Sequence, residues 1–279
     1  MKELKGRTAV ITGGGSGLGR GTALELAKEG VNLVLADINQ EGAEETARMA
    51  AEAGAQALGV ACDVSQDDAF EKLKAQVEAR FGPPDIVMNN VGVLTGGRPE
   101  DIPLEEWQRI INTNLMSVVR SNGAFLRGLI ERGRGHIVNV ASTAGLYPYA
   151  YDRGPYAASK AAIISLTEGL ALYLKPKGIG VSVMCPGPMP TNVGKSMRRF
   201  GAPLGVRGPG ADFVPMPPQE AGALIVAAIK ADRFFITTHP EQVMSRLKRR
   251  LQDWDGFIAA SATEIDQALS YSDAPQVSS

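Results

Sequence analysis

The chain has 279 residues, 44% of them hydrophobic, and a formal net charge of −1. That size and core content suit an α/β fold in one unit, and the charge gives no electrostatic case for nucleic acid or an anionic membrane as partner. Two distant cysteines, Cys62 and Cys185, and two isolated histidines, His136 and His239, speak against a disulfide framework or a metal site.

Residues 1–7 lack the apolar stretch of a signal peptide, and no run approaches the ~20 apolar residues of a membrane span, so the expectation is a cytoplasmic protein. From there, short apolar runs alternate with helical patterns. Residues 8–12 read as a buried strand, followed by a glycine cluster and a helix over 18–28. A second strand over 31–36 ends at Asp37, and a helix over 41–53 follows. The third strand is 57–62, the next helix 67–81, and the fourth strand 85–89. Residues 104–132 read as one long helix, 136–141 as a fifth strand, 156–174 as a helix and 180–184 as a sixth strand. Beyond a stretch rich in proline and glycine, 186–218, come a helix over 219–231 and a seventh short strand over 233–237. The end of the chain, 240–268, reads as a helical extension with Trp254 and Phe257 on one face.

Strand and helix in regular alternation, with strands apolar throughout, predict a parallel sheet covered on both sides. The expectation is a Rossmann-like, doubly wound, mainly parallel seven-stranded sheet as a single domain over 1–240. Residues 241–279 form a C-terminal helical extension and tail. The 186–218 stretch exceeds an ordinary connection and reads as a lid over the substrate.

Two constellations carry chemistry. The first strand runs into Thr12-Gly13-Gly14-Gly15-Ser16-Gly17-Leu18-Gly19. Glycines permit a tight turn whose backbone N–H groups, with the positive end of the next helix, receive a pyrophosphate. Asp37, ending strand two, is placed to accept hydrogen bonds from a ribose diol. In the second, Tyr156 and Lys160 lie one helical turn apart, on one face. A neighbouring ammonium is expected to lower the phenol below its usual ~10, making Tyr156 an acid/base near neutrality. Ser142, at the end of strand five, is placed to donate a hydrogen bond to a substrate oxygen. Tyr173 and Lys177 share the same spacing, but Pro176 interrupts the helix there, so no chemistry is expected of them.

Over residues 5–240 these motifs resemble the short-chain dehydrogenase/reductase family, in its shorter branch with TGxxxGxG and YxxxK. Asn89-Asn90-Val91-Gly92 is similar to the family's NNAG, and Trp107 through Asn114-Leu115 to the segment carrying a fourth catalytic residue. Pro186-Gly187-x-x-x-Thr191 is similar to the segment holding the nicotinamide carboxamide. The resemblance implies Asn114, Ser142, Tyr156 and Lys160 as catalytic residues. It implies NAD(H) held by Gly13, Ser16, Gly17, Leu18, Gly19, Asp37, Ile38, Asp63, Val64, Asn90, Gly92, Tyr156, Lys160, Pro186, Gly187 and Thr191. Tyr156 would exchange the alcohol proton, Ser142 hold the substrate oxygen, Lys160 bind ribose hydroxyls, and Asn114 anchor a water leading to Lys160. The family also implies a homotetramer or homodimer packed through the two long helices.

Three readings stand. The first is an NAD(H)-dependent oxidoreductase interconverting a secondary alcohol and a ketone. The second is an NADPH-dependent ketoacyl-type reductase, a class that tends to carry a basic residue where this chain has Ser16 or Ile38. The third is a non-enzymatic nucleotide-binding redox sensor. Candidate substrate-pocket residues are Leu94, Thr143, Leu146, Tyr149, Tyr151, Met189 and Val193, mostly apolar, which suggests a medium or bulky hydrophobic substrate.

Overall fold

A computed structural model describes residues 1–191, 194, 197–202 and 212–272, with side chains of the last helix through residue 265. The chain opens with β1 (Thr8–Thr12), α1 (Gly17–Lys28), β2 (Asn32–Asp37), α2 (Gln40–Glu52), β3 (Ala57–Ala61), α3 (Ala69–Phe81) and β4 (Ile86–Asn89). A two-residue strand, β5 (Thr95–Gly96), precedes α4 (Leu104–Ile110), a π turn (Ile111–Met116) and α5 (Ser117–Arg132). Next come β6 (Gly135–Val140), the single turn α6 (Thr143–Leu146), α7 (Gly154–Leu174) and β7 (Ile179–Cys185). The remaining elements are β8 (Arg198–Arg199), α8 (Pro218–Ala231), β9 (Phe235–Thr237), α9 (Pro240–Gln252) and α10 (Trp254–Ser272).

Seven strands form one sheet in the order β3-β2-β1-β4-β6-β7-β9, and every neighbouring pair is parallel. The expected doubly wound sheet is therefore present. Successive side chains of a strand face opposite sides, and here both sides are apolar. Ile11, Leu33, Leu35 and Met88 face a core shared with Leu26 of α1 and Ile225 of α8. Val10, Val34 and Val87 face the other core, with Phe70 and Phe125. Each such fully buried side chain stabilises the fold by roughly 1.5–3 kcal/mol. Two asparagines inside the sheet are linked: Asn89 donates to Asn139 at 2.8 Å, and Asn139 to Thr167 at 3.0 Å. From β1 the chain winds outward to β3, then returns to β4 on the other side. The strand ends between β1 and β4 are therefore the switch point, where open α/β sheets leave a crevice.

Several local expectations differ from the structure. Residues 104–132 contain a π turn instead of one uniform helix. The C-terminal extension is two helices, broken at Asp253, whose carboxylate caps the second by accepting from Gly256 N at 2.9 Å. Phe257 is buried, whereas Trp254 is exposed beneath the Arg250 guanidinium, so the two do not share one face. The helical run 154–177 is long and apolar enough to cross a membrane by length and composition. It instead packs along β6 and β7 and turns Ser159 and Lys160 inward. A second, two-stranded sheet pairs β5 with β8. The 186–218 segment read as a lid lies partly outside the described residues. Two of its described parts meet the body or each other, through β8 on β5 and through Met216 N donating to Pro188 O at 3.1 Å.

Candidate active site

The turn between β1 and α1 is built for close approach. Gly13 and Gly17 adopt φ of 65° and 52°, in the left-handed region that favours glycine. A Cβ on Gly19 would stand 2.1 Å from the Gly13 carbonyl oxygen, so Gly19 lets the helix close on the turn and does not itself line the crevice. Asn90, just past β4, fastens the turn: its side-chain nitrogen donates to the carbonyls of Thr12 and Gly13, each at 3.1 Å. The first turn of α1 carries no acidic residue, and Ser16 makes no cap hydrogen bond. The helix's first N–H groups and its positive end thus face a cleft of about 380 Å³. That volume is within the range of small-molecule sites.

At one end of the cleft stands Asp37. Its carboxylate accepts from Gly15 N and Asn39 N, each at 2.9 Å, which fixes it beside the glycine turn. Ile38, next to it, is exposed. Arg20, the basic residue of the motif, is turned to α2. It donates to Thr46 at 2.9 Å and to the Gly15 carbonyl at 2.7 Å, and pairs with Glu45. Asp63 also lines the cleft, with its carboxylate held by Ser65 and Gln66.

At the other end the chemistry-bearing side chains meet. Pro155 sits in the first turn of α7, where its missing N–H costs nothing, and Tyr156 follows it. The Ser142 hydroxyl, at the start of α6, accepts from Ala144 N at 3.1 Å and hydrogen bonds the Tyr156 phenol. Lys160 donates to the Val140 carbonyl at 2.9 Å, with Nζ 5.8 Å from the Tyr156 ring centroid. Asn114, fully buried on the π turn, clamps the loop after β4. Its oxygen accepts from Val93 N at 2.8 Å, and its nitrogen donates to Val93 O at 3.1 Å and Ser159 Oγ at 3.0 Å. Ser159 then donates to the Tyr156 carbonyl at 2.7 Å. The π turn, the β4 loop and α7 are thereby tied together.

Burial dominates the titration of this cluster. It pushes the Tyr156 phenol up to about 12, although the Ser142 hydrogen bond works the other way. It pulls the Lys160 ammonium down to about 8. The expected lowering of the phenol by its lysine is therefore reversed in this structure, because desolvation of the phenolate outweighs an ammonium that lies beyond contact.

Of the residues expected at the cofactor, Gly13, Ser16, Gly17, Leu18, Asp37, Ile38, Asp63, Val64, Asn90, Gly92, Tyr156, Lys160, Pro186 and Thr191 line the cleft; Gly19 and Gly187 do not. Among the described substrate-pocket candidates only Met189 lines it. Leu94 and Thr143 are buried, Leu146 packs against Tyr147 and its neighbours, and Tyr149 accepts a hydrogen bond from Arg153 at 3.1 Å. Tyr151 is on the surface, and Val193 lies outside the described residues. Cys62, Val91, Val93, Thr113, Val140 and Ala141 also line the cleft. All but Thr113 lie at or just past strand ends, a positional signal that pointed to them. Tyr173 and Lys177 pair at the far, exposed end of α7, away from the cleft.

A doubly wound sheet with a glycine turn at its switch point, and a Ser–Tyr–Lys cluster across the cleft, defines a dinucleotide-dependent oxidoreductase class. The chain belongs to the short-chain dehydrogenase family, whose model matches residues 7–201. It is 41% identical over 184 residues to the oxidoreductase EphD of Mycobacterium tuberculosis, covering 66% of this chain but only 31% of that longer protein. It is 36% identical to the ketoacyl reductase HetN of a Nostoc species, over 67% of this chain and 65% of that one. Its structure is similar to a short-chain dehydrogenase/reductase from Burkholderia phymatum solved in complex with NAD. There the TM-score is 0.82 at 31% identity, over 91% of this chain and 96% of that one.

Proposed function

We propose that this oxidoreductase interconverts a secondary alcohol and a ketone with NAD(H), with Tyr156 as general acid/base. The cleft fits the dinucleotide: the glycine turn would take the pyrophosphate, Asp37 the adenosine ribose, and Lys160 the ribose beside Tyr156. Bound there, NAD(H) supplies the carbon that accepts or gives the hydride. The Ser142 hydroxyl holds the substrate oxygen within reach of Tyr156. In oxidation the Tyr156 oxygen takes the alcohol proton; in reduction it returns one. Asn114, through Ser159, keeps the first turn of α7 in place against the β4 loop. The chain acts as a homodimer or homotetramer.

The observation that carries the cofactor choice is the Asp37 carboxylate, fixed beside the cleft with Arg20 turned to Glu45. A ribose diol donates to a carboxylate. A 2′-phosphate would bring like charge, and charges 4 Å apart repel by about 4 kcal/mol at an effective dielectric near 20. Solvent leaves about half of that acting, so kcat/KM is expected to favour NAD(H) over NADP(H) by at least ~30-fold. Asp37→Ala should shrink the ratio. Both cofactors, tested against a panel of secondary alcohols and ketones, decide it; equal use by the native protein would sink this reading. The second reading, an NADPH-dependent ketoacyl-type reductase, draws on Arg20 donating at 2.7 Å to the carbonyl of Gly15, the residue whose N–H holds Asp37. If NADP(H) is used, Arg20→Ala should abolish that use.

A further inference from the structure

Of the two histidines, His239 lies between β9 and α9 and belongs to no motif. It is buried, and both of its ring nitrogens are engaged. Gly187 N donates to the Thr238 hydroxyl at 2.8 Å. That hydroxyl, with its oxygen accepting, has its own proton free for His239 Nδ1, 2.7 Å away. His239 Nε2 stands 2.7 Å from the Val214 carbonyl, which can only accept. The directions are thus fixed: backbone N–H to Thr238, Thr238 to Nδ1, Nε2–H to Val214.

The surroundings reinforce this path. A Cβ on Gly187 would lie 2.6 Å from His239 Nδ1 and 3.3 Å from Phe213, so the glycine makes room for the ring. Phe213 packs on the imidazole with ring centroids 5.0 Å apart. The backbone on either side of Gly187 is held as well, with Pro186 O accepting from Thr143 N and Pro188 O from Met216 N, each at 3.1 Å. Pro186 and Met189 of this stretch line the cleft.

We infer that His239 is a positioning residue: with Thr238 it forms a hydrogen-bond relay from Gly187 to Val214 that fixes the Pro186–Met189 wall of the cleft. The kinetic part of its test rests on the proposed reaction; the exchange and binding parts do not. Thr238→Val keeps the shape but breaks the relay at its middle. Amide exchange at Gly187 and Met189 is expected to speed by about tenfold, the loss of one buried hydrogen bond. NADH, followed by its fluorescence, is expected to bind about tenfold more weakly. KM for the cofactor rises accordingly, and kcat changes by less than ~3-fold. Thr238→Ser restores all three. His239→Asn still accepts from Thr238 but cannot reach Val214, so exchange rises at Phe213, Val214 and Met216, and NADH affinity falls by a smaller factor of ~3, passed on through the Met216–Pro188 bond. A Thr238→Val protein that matches the native one in exchange and NADH affinity overturns the relay. So does a serine variant no better than valine, or a rise in exchange spread evenly through β1 and β6. A protein without turnover that shows the local exchange changes supports the relay and counts only against the proposed reaction.

Discussion

Burial moves Tyr156 and Lys160 in opposite directions, the phenol to about 12 and the ammonium to about 8. A phenol that stays protonated at neutrality is always loaded for reduction, whereas oxidation needs the phenolate. The oxidation rate, as kcat/KM, is therefore expected to climb with pH by up to about tenfold per pH unit, easing above about 8 as Lys160 loses its charge, while reduction stays nearly flat from pH 6 to 8. Initial rates in both directions from pH 6 to 10 check this, and a flat oxidation profile would remove Tyr156 as the base. Tyr156→Phe keeps the ring and is expected to lose at least ~10²-fold in turnover while still binding NADH. Tyr173→Phe, at the exposed end of α7, leaves turnover intact. Lys160 itself is costly to bury. Burial pulls its ammonium from the usual 10.5 down to about 8, on the order of 3 kcal/mol against the folded state. Below pH 8 both folded and unfolded chains carry the charge, so the penalty is present in full. It fades as pH rises from about 8 to 10.5. Lys160→Met loses the bond to Val140 O, about 1 kcal/mol. It should still raise the melting temperature by several degrees at pH 7, and leave it level or slightly lowered at pH 10.5, while abolishing turnover. A clear fall at pH 7 as well would count against the penalty and show that the lysine supports the fold instead.

Among the elements, the π turn does the most with the fewest residues. Asn114 satisfies both backbone groups of Val93 and reaches Ser159, so its side chain replaces contacts that a strand or helix would otherwise supply. Asn114→Ala would leave the Val93 pair and Ser159 short of partners, at about 2–3 kcal/mol. Urea unfolding measures that; a change under ~0.5 kcal/mol would mean water or a rearranged loop takes over. The sequence reached Asn114 only through the family resemblance. Apolar periodicity passes through Ile110 and Val118 without marking the turn, because one extra residue in a helical turn shifts the pattern less than its own scatter. Short elements escaped for a similar reason. β5 and β8 are two residues each and exist only because Thr95 and Arg198 meet across the fold, with Glu106 bridging Thr95, Arg109 and Arg198. Nothing local in either stretch announces a strand. The break at Asp253 was legible in principle, since an aspartate three residues before Gly256 is an N-cap pattern. The long parallel strands and the glycine turn were plain because their signals, unbroken apolar runs and a strand-to-helix glycine cluster, are local. The substrate side was not. Leu94, Thr143 and Tyr149 sit near the motif residues in sequence, but their side chains are spent on packing or on Arg153.

At the scale of the molecule, α7 is apolar enough to be buried all round, yet only one side of it meets the sheet. The other side exposes Ala158, Ala161, Ser165, Gly169 and Leu172, small residues at helical spacing that end in a large apolar one, with the charged Glu168 exposed among them. Beside it the neighbouring helical run exposes Leu104, Met116 and Val119. A helix apolar on all sides is ordinarily covered on all sides, and small residues let a second helix approach closely. A second copy of this chain is the proposed cover, seating α5 and α7 against their counterparts. Such a pair is self-complementary, as a two-fold interface requires, and a net charge of −1 adds no long-range repulsion between copies. The expected particle in sedimentation is two or four times 29.5 kDa. Ala161→Glu with Leu172→Glu places like charges, beside Glu168, in the seam and should give monomers, because buried charges that cannot pair cost several kcal/mol. Tyr156 and Lys160 ride on the same helix, so the monomer should also turn over more slowly while keeping its circular dichroism. A native chain that sediments as a monomer at tens of micromolar would refute the cover, and would require α7 to carry its apolar outer face in water.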